Sequence, residues 1–196
     1  MPGASVRGVL RCAWATSAPE YVAYHDEEWG VPLHGDDALF ERLCLEAFQS
    51  GLSWITILRK RPAFRAAFAG FAIDAVAAFT DEDRARLLAD AGIVRNRAKI
   101  DAAIGNARAA QQLPGGLSEL LWSFAPRGPR ARPATLADVP ATSPGSVAMA
   151  RELKRRGFVF VGPTTAYALM QATGMVDDHV TGCFRASLPE DDATSP

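Results

Sequence analysis

The sequence predicts an all-α protein, and three observations carry that expectation. Apolar residues recur at helical spacing through most of the 196-residue chain. Ser, Thr, Asp and Pro stand where those stripes begin, and Gly stands where several of them end. Only Phe158-Val-Phe-Val161 reads as a strand, and it is too short and isolated to build a sheet.

Taken in order, Gly35-Asp36 opens a helix whose stripe is Leu39, Phe40, Leu43, Leu45, Ala47 and Phe48, closed by Gly51. A second helix starts at Ser53 and is expected to break at Arg61-Pro62. Pro62 then suits the first turn of a further helix through Phe68. Asp74 caps a short helix ending near Phe79, and Thr80-Asp-Glu-Asp83 resembles a capping box for a helix reaching Asp90. Beyond Ala91-Gly-Ile-Val94 lies a basic amphipathic segment from Arg95 to Gln112, then a short helix over Leu117–Phe124. Four prolines and three arginines make 125–142 an irregular connection. Ser143-Pro144 starts a helix ending at Gly157, and Pro163–Thr173 is the last. Residues 1–10 are expected to be a flexible N-terminus. Residues 11–185 are expected to form a single domain of two helical lobes, and 186–196 a disordered acidic tail.

Composition narrows the class further. With 48% hydrophobic and 22% charged residues, the chain is neither fibrous nor disordered. Cysteines at 12, 44 and 183 are too few for a disulfide framework. The first ten residues lack a signal-peptide core, and no apolar run approaches the roughly 18 residues of a membrane span. The expectation is a soluble, cytoplasmic, monomeric protein with no membrane partner.

The formal charge of −1 argues globally against a polyanionic partner, yet it hides local bias. Arg59, Lys60, Arg61 and Arg65 have no acidic residue among them; six basic residues between Arg84 and Arg108 face only Asp90 and Asp101; Arg151, Lys154, Arg155 and Arg156 face only Glu152. Such runs are usually solvated faces. The second is set in a helix, tight Gly turn, helix pattern at about 90–96. There the backbone N–H groups of Gly92, Ile93 and Val94 can meet a phosphate, with Arg95, Arg97 and Lys99 just beyond. This is the physical content of a helix-hairpin-helix clamp on a DNA backbone.

Two further constellations carry chemistry. Cys12 and His25, with the pair His179-x3-Cys183, supply two thiolates and two imidazoles, a set that suits tetrahedral Zn²⁺. The spacing is not that of a standard finger, and alone it favours two free cysteines and two surface histidines. Cys44 sits in an apolar register and reads as core; His34 has no evident partner. Separately, Trp14, Tyr21, Tyr24, Trp29 and Trp54 crowd the first 54 residues around one carboxylate, Glu46, in an apolar stretch. Either Glu46 faces solvent and the rings are core, or together they form a slot. In such a slot a flat, electron-poor ring is stacked while a carboxylate accepts from its edge.

The sequence blocks Arg11-Cys-Ala-Trp14, Tyr24-His-Asp-Glu-Glu-Trp-Gly-Val-Pro32, Leu45-Glu46, Gly51-Leu-Ser-Trp-Ile55, Asp90–Ile100, Lys154–Gly162 and Asp178-His-Val-Thr-Gly-Cys183 resemble the DNA-3-methyladenine glycosylase I (Tag) family of helix-hairpin-helix glycosylases. The resemblance runs from about Arg11 to Cys183. It implies a helical fold with one structural zinc on Cys12, His25, His179 and Cys183, joining the N- and C-terminal segments. It also implies a base pocket of Glu46, Tyr24 and Trp54 with Trp14 and Tyr21 nearby, a hairpin at Ala91–Val94, and Leu52 as a wedge into the gap left by the extruded nucleotide. One departure is visible: the family's usual Gln-Gln reads Phe48-Gln49 here. The expected partner is double-stranded DNA carrying alkylated bases, and the expected product is free 3-methyladenine.

The expected mechanism is monofunctional. N3-methylation makes the adenine a cationic leaving group, so no proton need be delivered to it. No Asp occurs between Ala102 and Ala137, where many related glycosylases place one after their hairpin, and no Lys lies between Ile100 and Leu153 to support a lyase. Two other readings compete: a non-catalytic, zinc-stabilised helix-hairpin-helix DNA binder, and a zinc hydrolase. The latter needs an open metal position that four protein ligands would close.

Overall fold

The structure, a computed structural model, describes residues 4–6, 9–128 and 130–186. Among them, helices carry the fold: α1 (Pro19–Glu27), α2 (Asp36–Gln49), α3 (Trp54–Ala67), α4 (Ile73–Ala77), α5 (Asp81–Ala89), α6 (Arg97–Ala110), α7 (Gly116–Trp122), α8 (Pro144–Arg155) and α9 (Pro163–Ala172). Two short strands, β1 (Ala4–Val6) and β2 (Val9–Arg11), pair antiparallel as a ribbon, Ala4 opposite Arg11. This ribbon lies in the segment expected to be flexible. Residues 187–196 of the expected tail lie outside the described residues.

Cap chemistry sets several of these boundaries. The Thr80 amide donates to Asp83 and the Asp83 amide returns to the Thr80 hydroxyl, closing the box at the start of α5. Ser143 and Ser146 do the same for α8, where Pro144 occupies the first turn. Asn96 accepts from the Lys99 amide and so starts α6.

The core is organised around α2. Leu39, Phe40, Leu43, Leu45 and Phe48 are all essentially inaccessible, and α3, α6, α7 and α9 pack around the helix. Phe48 meets Phe64 at 4.7 Å and Phe68 at 5.7 Å between ring centroids, and Phe68 stacks on Phe71 at 5.2 Å. An aromatic ring at position 48 therefore serves the core, which explains how the chain tolerates losing a polar residue there.

Three expectations are corrected. Pro62 does not break its helix; α3 runs through it. The lost hydrogen bond and ring clash cost about 3 kcal/mol. Ile57 and Leu58 before the proline and Phe64 and Ala67 after it are all buried, each large apolar side chain contributing about 1.5–3 kcal/mol when the helix stays in line. Phe158–Val161 is a turn, not a strand: Phe158 and Val161 are buried while Val159 and Phe160 are exposed. With no neighbouring strand to pair with, Val159 is held by the Asn106 side chain, which donates to its carbonyl at 3.1 Å and accepts from its amide at 2.9 Å. Finally, α1 escaped the pattern of apolar spacing because its inward residues are Tyr24 and His25, whose chemistry is not that of a hydrophobic stripe. His34, which had no evident partner, stacks on Trp122 at 4.4 Å.

Phe48→Ala is expected to lower unfolding free energy by about 3–5 kcal/mol in urea denaturation. A loss below about 1 kcal/mol would show that this ring does not organise the core.

Candidate active site and metal centre

The C-terminal turn of α2 delivers Glu46 to a cavity of about 590 Å³. Trp14, Tyr21, Tyr24, Trp29 and Trp54 form much of its wall, and α9 closes another side through Ala168 and Gln171. The rings are mutually braced: Trp14 meets Tyr21 edge-on at 5.7 Å and Trp29 at 5.1 Å, while Tyr24 and Trp54 lie 5.4 Å apart. The Tyr21 hydroxyl accepts from the Ile55 amide at 2.9 Å, so α1 holds the first turn of α3 and the Trp54 wall with it. Trp54 Nε1 is buried without a hydrogen-bond partner among the described residues.

Glu46 is only 6% exposed. Burial pushes its carboxyl up to about 7, and the nearby Arg42 guanidinium pulls the other way. Burial also raises the Tyr24 phenol far above its ordinary value, so it stays protonated. The cavity thus offers apolar faces for a flat ring and one carboxylate balanced between its charge states near neutrality.

Against one side of this cavity lies a cluster of metal-ligand type. Donor atoms of Cys12, His25 and Cys183 lie within 4.8 Å of one another, and these three residues can hold a metal ion. His179 joins them through its ring, whose centroid is 4.9 Å from that of His25. Each histidine gives Nδ1 to a carboxylate, His25 to Asp26 at 2.9 Å and His179 to Asp177 at 2.8 Å. Arg11 and Arg132 in turn hold those carboxylates. Carboxylate partners of this kind fix both tautomer and ring direction at metal sites. His25 Nε2 lies 3.3 Å from Cys183 Sγ, and His179 Nε2 is buried with no hydrogen-bond partner among the described residues. Bonds from Cys12 and His25 pull the Cys183 thiol well below its usual range. Gly30, at φ 77°, is required here, since a Cβ would stand 2.6 Å from the His179 ring.

The expected phosphate-binding residues separate on folding. Arg95 and Arg97 are exposed at the start of α6. Ile93 is buried, leaving its backbone alone for any contact; Val94 packs against the core. The Gly92 amide already donates to Asp90 at 2.7 Å, and Lys60 caps the Ala91 and Gly92 carbonyls. Lys99 corrects the expectation outright. It is buried, and its ammonium donates to the Phe48 carbonyl at 2.9 Å and the Ser50 carbonyl at 2.5 Å, closing the C-terminus of α2. Leu52 stands 42% exposed in the turn after α2.

A second helix–turn–helix, α8 to α9, went unrecognised because its turn reads as a strand. It presents exposed Lys154 and Arg155, an exposed glycine cap at Gly162, and Phe160, 43% exposed at φ +60°. A non-glycine residue held in that region is strained, a condition found where function demands it. The signal was legible in the order Lys154-Arg-Arg-Gly157 … Gly162-Pro163.

The sequence model of the methyladenine glycosylase family matches residues 14–186. The chain belongs to the methyladenine glycosylase family. It is 49% identical over 177 residues to DNA-3-methyladenine glycosylase 1 of Escherichia coli (strain K12), covering 88% of this chain and 95% of that one. Its fold superposes on a crystal structure of 3-methyladenine DNA glycosylase I (TAG) with a TM-score of 0.85 at 47% identity, covering 89% and 98% of the two chains. A TAG variant crystallised in complex with 3-methyladenine gives a TM-score of 0.83 at 35% identity, covering 88% and 95%. Within this methyladenine glycosylase, Lys99→Met is expected to cost about 1–3 kcal/mol of stability by leaving two carbonyls unsatisfied. The salt dependence of DNA binding should not change; a slope reduced by about one would restore Lys99 as a phosphate contact.

Proposed function

We propose that the protein is a monofunctional DNA glycosylase that hydrolyses the N-glycosidic bond of 3-methyladenine in alkylated duplex DNA. The products are free base and an abasic site. The observation that carries this reading is Glu46, buried at an aromatic cavity large enough for one base. A related glycosylase of the same fold, crystallised with 3-methyladenine, supports it. A non-catalytic DNA binder would have no use for such a carboxylate.

The lesion must leave the stack, at a cost of a few kcal/mol, to enter the cavity. Leu52, exposed beside the cavity's Gln49 and Trp54 in sequence, is positioned to fill the gap. Tyr24, Trp54, Trp14 and Tyr21 stack on or border the cationic base, each close cation–π contact contributing about 0.5–2 kcal/mol. Glu46, ionised, accepts from the amino edge and attracts the positive ring. When the C1′–N9 bond breaks, its electron pair moves into the base, which departs neutral. Positive charge develops on the sugar as the base departs. A water oxygen then bonds to C1′ and releases one proton to solvent.

No lyase step follows. That chemistry needs an amine at C1′, and none of the three lysines lines the cavity: Lys60 and Lys99 cap carbonyls and Lys154 is exposed on α8. Asp177 and Asp178 follow the α8–α9 turn, but neither lines the cavity. Asp177 orients His179, and Asp178 is buried against Tyr167 and Gln171.

The phosphate backbone is assigned to two helix starts that share one design. At α9, Gly162 leaves the first amides uncapped by any side chain, with Phe160 in the turn and Lys154 in the last turn of α8. At α6, Arg95 and Arg97 flank the 90–96 turn, where Gly92 and Ile93 contribute backbone only. The first carries more of the grip, because the Gly92 amide is already taken. The reading includes a monomer acting in the cytoplasm.

One Zn²⁺ fits the converging donors of Cys12, His25 and Cys183, with His179 Nε2, buried and without a partner among the described residues, as the fourth ligand. Bound there, it would tie the segment before α1 to the segment after α9. Cys12, His25 and their neighbours Trp14 and Tyr24 then keep the cavity wall in place.

Two outcomes test this. Glu46→Gln should reduce single-turnover release of 3-methyladenine by about 10²–10³-fold while DNA affinity changes little; undiminished release would remove Glu46 from the reaction. Elemental analysis of the purified chain should find zinc at one ion per chain, with Cys183→Ser losing the metal and lowering the thermal midpoint. Native protein free of zinc with an unchanged midpoint would dismiss the metal.

A further inference from the structure

Glu46 does not stand alone in its charge. Arg42 lies one helical turn before it on α2, on the same face, and is only 8% exposed. Its Nη2 donates to Glu28 at 3.0 Å, its guanidinium lies 5.4 Å from the centre of the Tyr24 ring, and its Nη1 is buried with no hydrogen-bond partner. Glu28, just past the end of α1, is not free to neutralise Arg42. It also takes both terminal nitrogens of Arg61 on α3, at 2.5 and 2.7 Å. One carboxylate is thus shared by two guanidinium groups, leaving one positive charge over. Glu41, paired with Arg65, also acts on Arg61 through space, and the acid one turn beyond Arg42 on its own helix face is Glu46.

The four groups alternate in sign, Arg61, Glu28, Arg42, Glu46: hydrogen bonds join the first three, and Arg42 acts on Glu46 through space. Only the Glu46 end opens on the cavity. We infer that Arg42 is a positioning residue for base excision, holding Glu46 in its carboxylate form while Glu28 and Arg61 hold Arg42. The inference rests on the role proposed for Glu46. Other groups near Glu46 do not supply a second positive charge. Tyr24 is a buried neutral phenol, and Trp54 on α3 and Ala168 and Gln171 on α9 carry no charge. Burial alone drives Glu46 toward its neutral acid, and Arg42 opposes that drive. The lesion's charge is covalent, from its methyl group, so it does not titrate across neutrality. The acidic limb of the reaction then reports the enzyme carboxyl.

The test is the pH profile of single-turnover 3-methyladenine release from methylated duplex DNA, using the full chain. Arg42→Met should move the acidic limb upward by about one pH unit, with activity recovering as pH rises. Arg42→Lys, which keeps the charge, should stay close to the parent profile. Glu28→Gln removes a negative charge from the other side of Arg42 and should move the limb downward, so the idea does not depend on one variant folding. An unshifted limb in Arg42→Met, or a loss equal at every pH, overturns it; so does a Glu28→Gln shift in the same direction as Arg42→Met. Failure of the underlying reading looks different: Glu46→Gln would release base at the parent rate and show the same acidic limb.

Discussion

The constraint on which this structure turns is the placement of a carboxylate in the buried C-terminal half of a core helix. Core residues surround α2 along most of its length, so an acidic side chain near its end has only the cavity to look into. Leaving a charge uncompensated there costs several kcal/mol. Three features make the arrangement tolerable: the cavity is open, Arg42 sits one turn away, and Lys99 closes the exposed carbonyls at the end of the same helix. Each would look like waste in a protein whose only task was to bind a phosphate backbone. Together they suit the role proposed for Glu46, an acceptor for a cationic base.

Adjacent residues of α1 connect this site to the chain ends. Tyr24 faces the cavity and His25 faces the cysteine–histidine cluster, so a short helix with little apolar patterning is fixed from both sides. Trp14 touches both environments, meeting Tyr21 at 5.7 Å and His25 at 5.3 Å. Whatever holds Cys12, His25 and Cys183 together therefore also holds the aromatic wall. A cross-link between distant ends braces a pocket whose lining comes mostly from the first 54 residues, with Leu136, Val139 and two residues of α9.

Legibility followed how local the physics was. Thr80, Ser143 and Pro163 announced helix starts because capping is settled within four residues. Glu46 and its aromatic company were legible as a set, since five of the seven Trp and Tyr residues fall in the first 54 positions and Glu46 is the acid set among the apolar positions of its helix. What escaped was decided by long-range partners. Lys99 looked like a phosphate contact because nothing nearby in sequence reveals carbonyls some fifty residues away. Pro62 looked like a break because its compensation is burial against distant helices. The α8–α9 turn looked like a strand because Asn106, more than fifty positions earlier, supplies the single rung that holds Val159.

The same distinction governs the basic clusters, and it changes what the near-zero charge means. Arg59 pairs with Glu20, Arg61 with Glu28 and Arg65 with Glu41, all across helices, while Lys60 caps carbonyls. A run that contains no acid in sequence is thus fully engaged with other groups in space. Arg84 and Arg86 are likewise matched, as are Arg155 and Arg156. Among the described residues, Arg95, Arg97, Arg127, Arg151 and Lys154 are exposed without an ion pair, Arg95 and Arg97 at the start of α6 and Arg151 and Lys154 on α8. Since each neutralised phosphate contributes about one to the salt slope, so few cations make a weak and readily released hold on undamaged duplex. On the role proposed for Glu46, discrimination then falls to the cavity. An enzyme that has to sample long stretches of normal DNA gains by keeping these two tasks on separate groups.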